Sequence, residues 1–136
     1  MNQDNAFSGT PFDLTGKTAV ITGGSGLLGA EFAKALVSAR ASVIIGDINN
    51  DNLSKTKNEI NKLYKDSNVS AIHLNVNNSQ SIIDFIAQIE KEHGKVDILV
   101  NSAAINPKFE KGSELSEFRR FEIFHLLLGM SQLISI

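Results

Sequence analysis

The chain contains no cysteine, which excludes disulfides, thiolate nucleophiles and cysteine-held zinc. Neither charge is in excess: 13 basic residues against 15 acidic ones leave a formal net charge of −2. The signs are interspersed, so nothing in the balance points to nucleic acid or an anionic membrane as partner. No apolar run approaches the ~20 residues of a membrane span. The polar residues 1–9 lack the basic start and apolar centre of a secretory signal. These absences set the expectation of a soluble, cytoplasmic protein. What remains is ordinary for a globular chain: 136 residues, 42% of them hydrophobic, enough for one domain with its own core.

The informative stretch is residues 18–29, Thr-Ala-Val-Ile-Thr-Gly-Gly-Ser-Gly-Leu-Leu-Gly. Residues 18–21 are β-branched or apolar, as in a strand buried on both faces. Four glycines follow within seven residues, and an amphipathic pattern starts at Leu28. Gly24, Gly26 and Gly29 fit G-x-G-x-x-G in the strand–turn–helix setting that a dinucleotide-binding motif requires. Glycine allows the tight turn and the approach of backbone to a pyrophosphate, and the last glycine lets the helix pack close to the strand. The helix N-terminus adds unpaired N–H groups and a positive dipole end. A bare glycine-rich connector is the bland alternative. The position directly behind a buried-type strand favours binding, with Gly23, Ser25, Leu27 and Leu28 completing the loop.

The rest of the chain alternates strand and helix. A first helix is predicted over residues 26–39, with Leu28, Phe32, Ala35, Leu36 and Ala39 as its apolar face. Residues 42–46 read as a second buried strand, ending at Asp47. Asn49 or Asn50 can cap a second helix, whose Leu53, Ile60, Leu63 and Tyr64 share a face. Residues 69–74 form a third strand, ending at Asn75. Asn78 or Ser79 caps a third helix, with Ile82, Phe85, Ile86 and Ile89 inward and Gly94 as its stop. Residues 96–100 form a fourth strand, ending at Asn101. Connections of this length imply right-handed βαβ units. The predicted fold is α/β: an open parallel half-Rossmann sheet of about four strands, order 3-2-1-4, with helices on both faces. It is flanked by a polar lead-in over residues 1–16. The nucleotide-binding part covers residues 17–107, and residues 108–136 form a tail: a loop to 112, a helix over 113–125, then an apolar stretch.

Asp47 closes the second strand, 18 residues beyond Gly29. A carboxylate there can accept both hydroxyls of an adenosine ribose and repel a 2′-phosphate. No Arg or Lys lies between Gly46 and Asp51, and the glycine loop holds none. Both facts favour NAD over NADP. Ile48 follows it at the same strand end. Asn75, with Val76 beside it, could pair with adenine because its amide both donates and accepts. Ligands of open parallel sheets lie at the carboxyl ends of the strands. That places Asn101, Ser102, Ala103 and Ala104 near a ribose or nicotinamide. His73, His93 and His125 are scattered without partners at metal spacing, so no metal site is expected.

Together Thr22-Gly-Gly-Ser-Gly-Leu-Leu-Gly29, Asp47, Leu74-Asn-Val-Asn77 and Leu99-Val-Asn-Ser-Ala-Ala104 resemble the N-terminal half of a short-chain dehydrogenase/reductase. Phe12-Asp-Leu-Thr-Gly-Lys-Thr-Ala-Val20 resembles the usual opening of that family. Tone and spacing are also similar to bacterial members from flagellin or surface-sugar modification clusters. Some positions depart from the pattern. Leu27 stands in the sixth position of the loop, whose T-G-x-x-G-x-x-G spacing is that of longer members acting on nucleotide sugars. Asn75 replaces the usual aspartate, and Ser102 and Ala104 stand in the usual N-N-A-G.

The resemblance implies chemistry from an Asn, a Ser and a Tyr-x-x-x-Lys after the fourth strand. The one tyrosine is Tyr64, with Asn68 four residues later, so no catalytic residue is assigned. The expectation is the dinucleotide-binding portion of an NAD-dependent oxidoreductase, without turnover alone. A nucleotide-sugar epimerase or dehydratase fragment and a non-catalytic binding module are the alternatives. The substrate is unknown. The fourth strand, expected at a sheet edge, and the apolar tail suggest self-association.

Overall fold

The computed structural model describes residues 7–103 and the two-residue strand at 134–135. In chain order the elements are β1 (Thr18–Thr22), α1 (Leu27–Ser38), β2 (Ser42–Asp47), α2 (Asn50–Leu63), β3 (Val69–His73), α3 (Ser79–His93), β4 (Ile98–Asn101) and β5 (Ile134–Ser135). All neighbours pair in parallel, in the order β3-β2-β1-β4-β5. The predicted order 3-2-1-4 therefore stands, with a short fifth strand added.

Successive residues of a strand point to opposite faces, and the apolar runs divide accordingly. Ala19 and Ile21 of β1, Val43 and Ile45 of β2 and Ile98 of β4 pack with Ala33 and Val37 of α1 and Leu53 and Ile60 of α2. Val20, Ile44 and Leu99 point the other way, onto Ile82, Phe85, Ile86 and Ile89 of α3. The sheet is thus covered on both faces, which is why its strands read as continuous apolar runs. Fully burying each of the Val, Leu, Ile and Phe side chains contributes about 1.5–3 kcal/mol. Asp97 joins the starts of β1 and β4: its carboxylate accepts from Thr18 N–H at 2.9 Å and lies 3.0 Å from Lys95 Nζ. Burial pushes that carboxyl up, but the Thr18 N–H and the Lys95 ammonium outweigh it and hold it below the usual range.

The helix termini follow the capping reading. Asn49 caps α2 by accepting from Asn52 N–H, and Asn78 caps α3 by accepting from Ser81 N–H. Gly94 ends α3 at φ 76°, a conformation glycine adopts without strain.

Three expectations are corrected. The face that α1 buries is Gly29, Ala33 and Val37, while Leu28 is 65% and Phe32 43% exposed and Ala35 is also exposed. The helix lies so close to the β1 turn that only small residues fit beneath it. In α2, Leu63 is exposed and Thr56 is buried in its stead. Finally, β4 starts at Ile98 rather than at 96, includes Asn101, and is not an edge. β5 pairs with it, Ile98 opposite Ile134 and Leu99 opposite Ser135. Self-association through a bare fourth strand therefore loses its premise. The loop read at 105–112, the helix at 113–125, Ala104 and His125 lie outside the described residues, as does most of the apolar tail. Among the described residues no helix is long and apolar enough to cross a membrane.

Candidate functional site

The carboxyl ends of β1, β2, β3 and β4 meet in a hollow of about 610 Å³. It sits where the chain order of the sheet reverses beside β1, the position at which open parallel sheets bind ligands. Each strand brings one segment to it.

From β1 comes the glycine turn, in which each glycine meets a different constraint. Gly23 adopts φ 66°, and a Cβ there would fall 2.7–2.9 Å from the backbone of Ser102 and Ala103. A Cβ on Gly24 would run into the Ile45 side chain of β2, so this glycine serves packing and not the hollow. A Cβ on Gly29 would run into Gly23 O and the backbone of Gly24, and Gly29 alone lets α1 start so close to the turn. Gly26 is the exposed N-cap and provides no side-chain cap, and the first turn of α1 holds no acidic residue. By helix geometry the first N–H groups of α1 have no intrahelical partner. The N–H of Gly26 is taken by Gly23 O, and the residues that carry the next three, Leu27, Leu28 and Gly29, line the hollow.

From β2 comes Asp47, with Ile48 beside it, and both line the hollow. One carboxylate oxygen of Asp47 accepts from Ser25 N–H at 3.2 Å, and the other accepts from Asn49 N–H at 3.3 Å. From β3 come Leu74, Asn75, Val76 and Asn77. Asn75 Oδ1 accepts from Asn77 N–H at 3.0 Å, and Asn75 N–H donates to Ser81 Oγ at 2.9 Å. The side-chain carbonyl of Asn75 is thus engaged locally. From β4 come Ser102 and Ala103. Ser102 N–H donates to Thr22 O at 3.1 Å.

Of the residues expected at the site, Gly23, Gly26, Leu27, Leu28, Gly29, Asp47, Ile48, Asn75, Val76, Ser102 and Ala103 line the hollow. Gly24, Ser25 and Asn101 stand behind it. Ser25 Oγ is buried and has no hydrogen-bond partner among the described residues, while Asn101 Oδ1 accepts from Thr22 Oγ1 at 3.4 Å. Thr22, not among the expected site residues, also accepts from Ala103 N–H at 3.3 Å. Its buried hydroxyl stitches the β1 turn to the end of β4. A threonine at the last position of the strand before the glycines was the signal for it. Leu74 and Asn77 were missed as lining residues too. Tyr64 lies elsewhere, with Arg40 and Asn68 around a second hollow of about 390 Å³ at the amino ends of the strands.

The parts fit a dinucleotide in chemical terms. An uncapped helix start supplies N–H groups for phosphates, and a carboxylate stands one strand away, as a ribose requires. A glycine cradle allows backbone approach, and among the described residues no Lys or Arg lines the hollow. A parallel sheet in this order with a glycine turn at its reversal point is a Rossmann-type nucleotide-binding fold.

A family model of the short chain dehydrogenases matches residues 17–126, and the chain belongs to that family. It is 35% identical over 105 residues to the uncharacterized oxidoreductase YxbG of Bacillus subtilis, covering 77% of this chain and 37% of that protein. It is 32% identical over 135 residues to the 7alpha-hydroxysteroid dehydrogenase of Escherichia coli, covering 95% of this chain and 51% of that enzyme. Among solved structures, a Haemophilus influenza protein assigned as a D-mannonate oxidoreductase, with bound NAD, aligns with TM-score 0.63 and 33% identity. That alignment covers 70% of this chain and 34% of that one. An L-sorbose reductase of Gluconobacter frateurii complexed with NADPH aligns with TM-score 0.72 at 20% identity, over 88% of this chain and 48% of that one, and shares the fold. The chain spans about a third to a half of the length of these proteins.

Proposed function

We propose that this chain is the dinucleotide-binding portion of an NAD-dependent short-chain oxidoreductase, and that it binds NAD more tightly than NADP. The observation that carries the reading is Asp47. Its carboxylate lines the hollow at the end of β2, next to the start of α1, with no Lys or Arg lining it among the described residues. Leu27, Leu28 and Gly29 hold the pyrophosphate by backbone N–H groups. Asp47 accepts from the hydroxyls of the adenosine ribose and repels a 2′-phosphate. Ile48, Asn75 and Val76 border the adenine, and Asn101, Ser102 and Ala103 lie toward the nicotinamide side. The cofactor supplies the hydride chemistry; the chain supplies binding and orientation.

The same reading holds that the chain has no turnover by itself. A tyrosine hydroxyl is the family's proton donor, and the one tyrosine, Tyr64, borders the hollow at the opposite ends of the strands. A proton step of this kind is worth roughly 10²–10⁴-fold in rate. We place the protein in the cytoplasm.

Calorimetry with NAD and NADP tests the reading. NAD should bind more tightly, and Asp47→Ala should narrow the gap by about 1–3 kcal/mol. Equal or NADP-favouring affinity overturns the cofactor assignment. Turnover of sugars, alcohols or ketones by the purified chain, followed at the reduced nicotinamide absorbance band, overturns the claim of inactivity.

A further inference from the structure

We infer that Asp47 is a positioning residue for the glycine turn in addition to its part toward ribose: its carboxylate clasps the turn in the shape that receives a pyrophosphate. The inference rests on the reading of the hollow as a dinucleotide site. Three hydrogen bonds shape the turn behind β1. Gly24 N–H donates to Gly46 O and Gly26 N–H donates to Gly23 O, both at 3.1 Å and both backbone to backbone. The third is Ser25 N–H, which donates to Asp47 Oδ2 at 3.2 Å. The other oxygen of the same carboxylate receives Asn49 N–H, the N-cap residue of α2. One side chain therefore bridges the β1–α1 turn and the β2–α2 turn, and it does so with a charge, which makes each N–H bond stronger than a neutral one.

The peptide it holds is the sensitive one. Ser25 immediately precedes Gly26, the N-cap from which α1 departs, so the plane of the Ser25 amide sets where the next N–H groups aim. Ser25 Oγ is buried without a hydrogen-bond partner among the described residues, so no bond from the hydroxyl to them holds this peptide in place. With the carboxylate gone, the N–H joins the hydroxyl as a second unsatisfied group in a partly buried turn. Such groups are relieved by rearrangement, and the turn loses its preformed shape.

The clasp and the ribose-only role predict opposite signs for one probe. Inorganic pyrophosphate carries no ribose. If Asp47 acted only on ribose, removing its negative charge beside an anion site would leave pyrophosphate binding unchanged or tighten it. If Asp47 clasps the turn, the same removal weakens pyrophosphate. The experiment pairs amide hydrogen exchange of the ligand-free protein with calorimetry of inorganic pyrophosphate and ADP-ribose, for the native chain, Asp47→Ala and Asp47→Asn. In Asp47→Ala, Ser25 N–H should exchange about tenfold faster, as for the loss of one bond of ordinary strength. The amides of β1 and α3 should keep their rates, and pyrophosphate should bind several-fold more weakly. Asp47→Asn keeps one acceptor oxygen and should fall between the two. Unchanged exchange at Ser25, uniformly faster exchange across the sheet, or unchanged or tighter pyrophosphate binding in Asp47→Ala overturns the clasp. Failure of the native chain to bind NAD or ADP-ribose overturns the dinucleotide reading instead; the exchange at Ser25 then decides the clasp by itself.

Discussion

Helices α1 and α3 are of similar length and pack on opposite faces of one sheet, but they are built to different ends. α3 starts on a side-chain cap, Asn78, ends on Gly94, and buries four large apolar residues. α1 starts on Gly26 with no side-chain cap and buries a glycine, an alanine and a valine. Its chain continues through Arg40 at φ 74°, a left-handed conformation that costs a residue with a Cβ about 1–2 kcal/mol. The cap, the glycine stop and the four buried side chains of α3 all add stability. In α1 those choices give way to the turn in front of it. The N-cap places no side-chain acceptor on the first N–H groups of α1, whose residues line the hollow, and Gly29 brings the helix against that turn. Open donors and close backbone approach are what a phosphate site needs, and neither is compatible with a cap and a heavy core-facing side chain.

Substitutions can break this contrast. The largest effect is expected from a matched pair of phenylalanines. Phe85→Ala in α3 removes a 3% exposed ring and should cost about 3–5 kcal/mol. Phe32→Ala in α1 should stay within about 0.5 kcal/mol. Urea denaturation of both variants measures the difference; equal losses would mean that α1 buries its large residues after all. Next comes Gly29→Ala, whose new Cβ meets backbone that cannot move aside. It should cost about 1–3 kcal/mol, with altered amide shifts at Gly23 and Gly24. A shift pattern confined to α1 would argue that the helix is not held against the turn.

Asn78→Ala sharpens the contrast from the α3 side. Loss of the bond to Ser81 N–H should lower stability by about 1 kcal/mol. The smallest effect is expected at the end of α1: Arg40→Gly relieves the left-handed residue and should raise stability by up to about 1 kcal/mol, offset by the greater freedom of glycine in the unfolded chain. A drop in thermal midpoint for Arg40→Gly would show that the arginine side chain contributes more than its backbone costs.

The same contrast explains what was legible in the sequence. α3 was read correctly, with its cap, its four inward residues and its stop, because its large apolar residues are the ones that the sheet buries. α1 was misread because periodicity favours the largest apolar residues, Leu28 and Phe32, whereas the glycine contact selects the smallest. The strand order followed from alternation and connection length. β5 was not foreseen, since two residues inside an apolar tail give no pattern. At the site, Asp47 and the glycines stood out by residue type and spacing. The clasp from Asp47 to Ser25 N–H did not, because a bond between a side chain and a backbone 22 residues away leaves no local mark. Thr22 escaped for a similar reason: its partners are Asn101 and Ala103. Gly24 carried the right residue for another reason, packing against Ile45 in place of approach to phosphate.

The most direct test of the central claim is a backbone amide shift map of the isotopically labelled chain on titration with NAD. The account predicts saturable changes centred on Gly23, Ser25, Gly26, Leu27, Asp47 and Ala103, with the Arg40, Tyr64 and Asn68 hollow at the other end of the sheet unmoved. Saturable changes centred on that second hollow, or none at millimolar NAD with a folded spectrum, would contradict it.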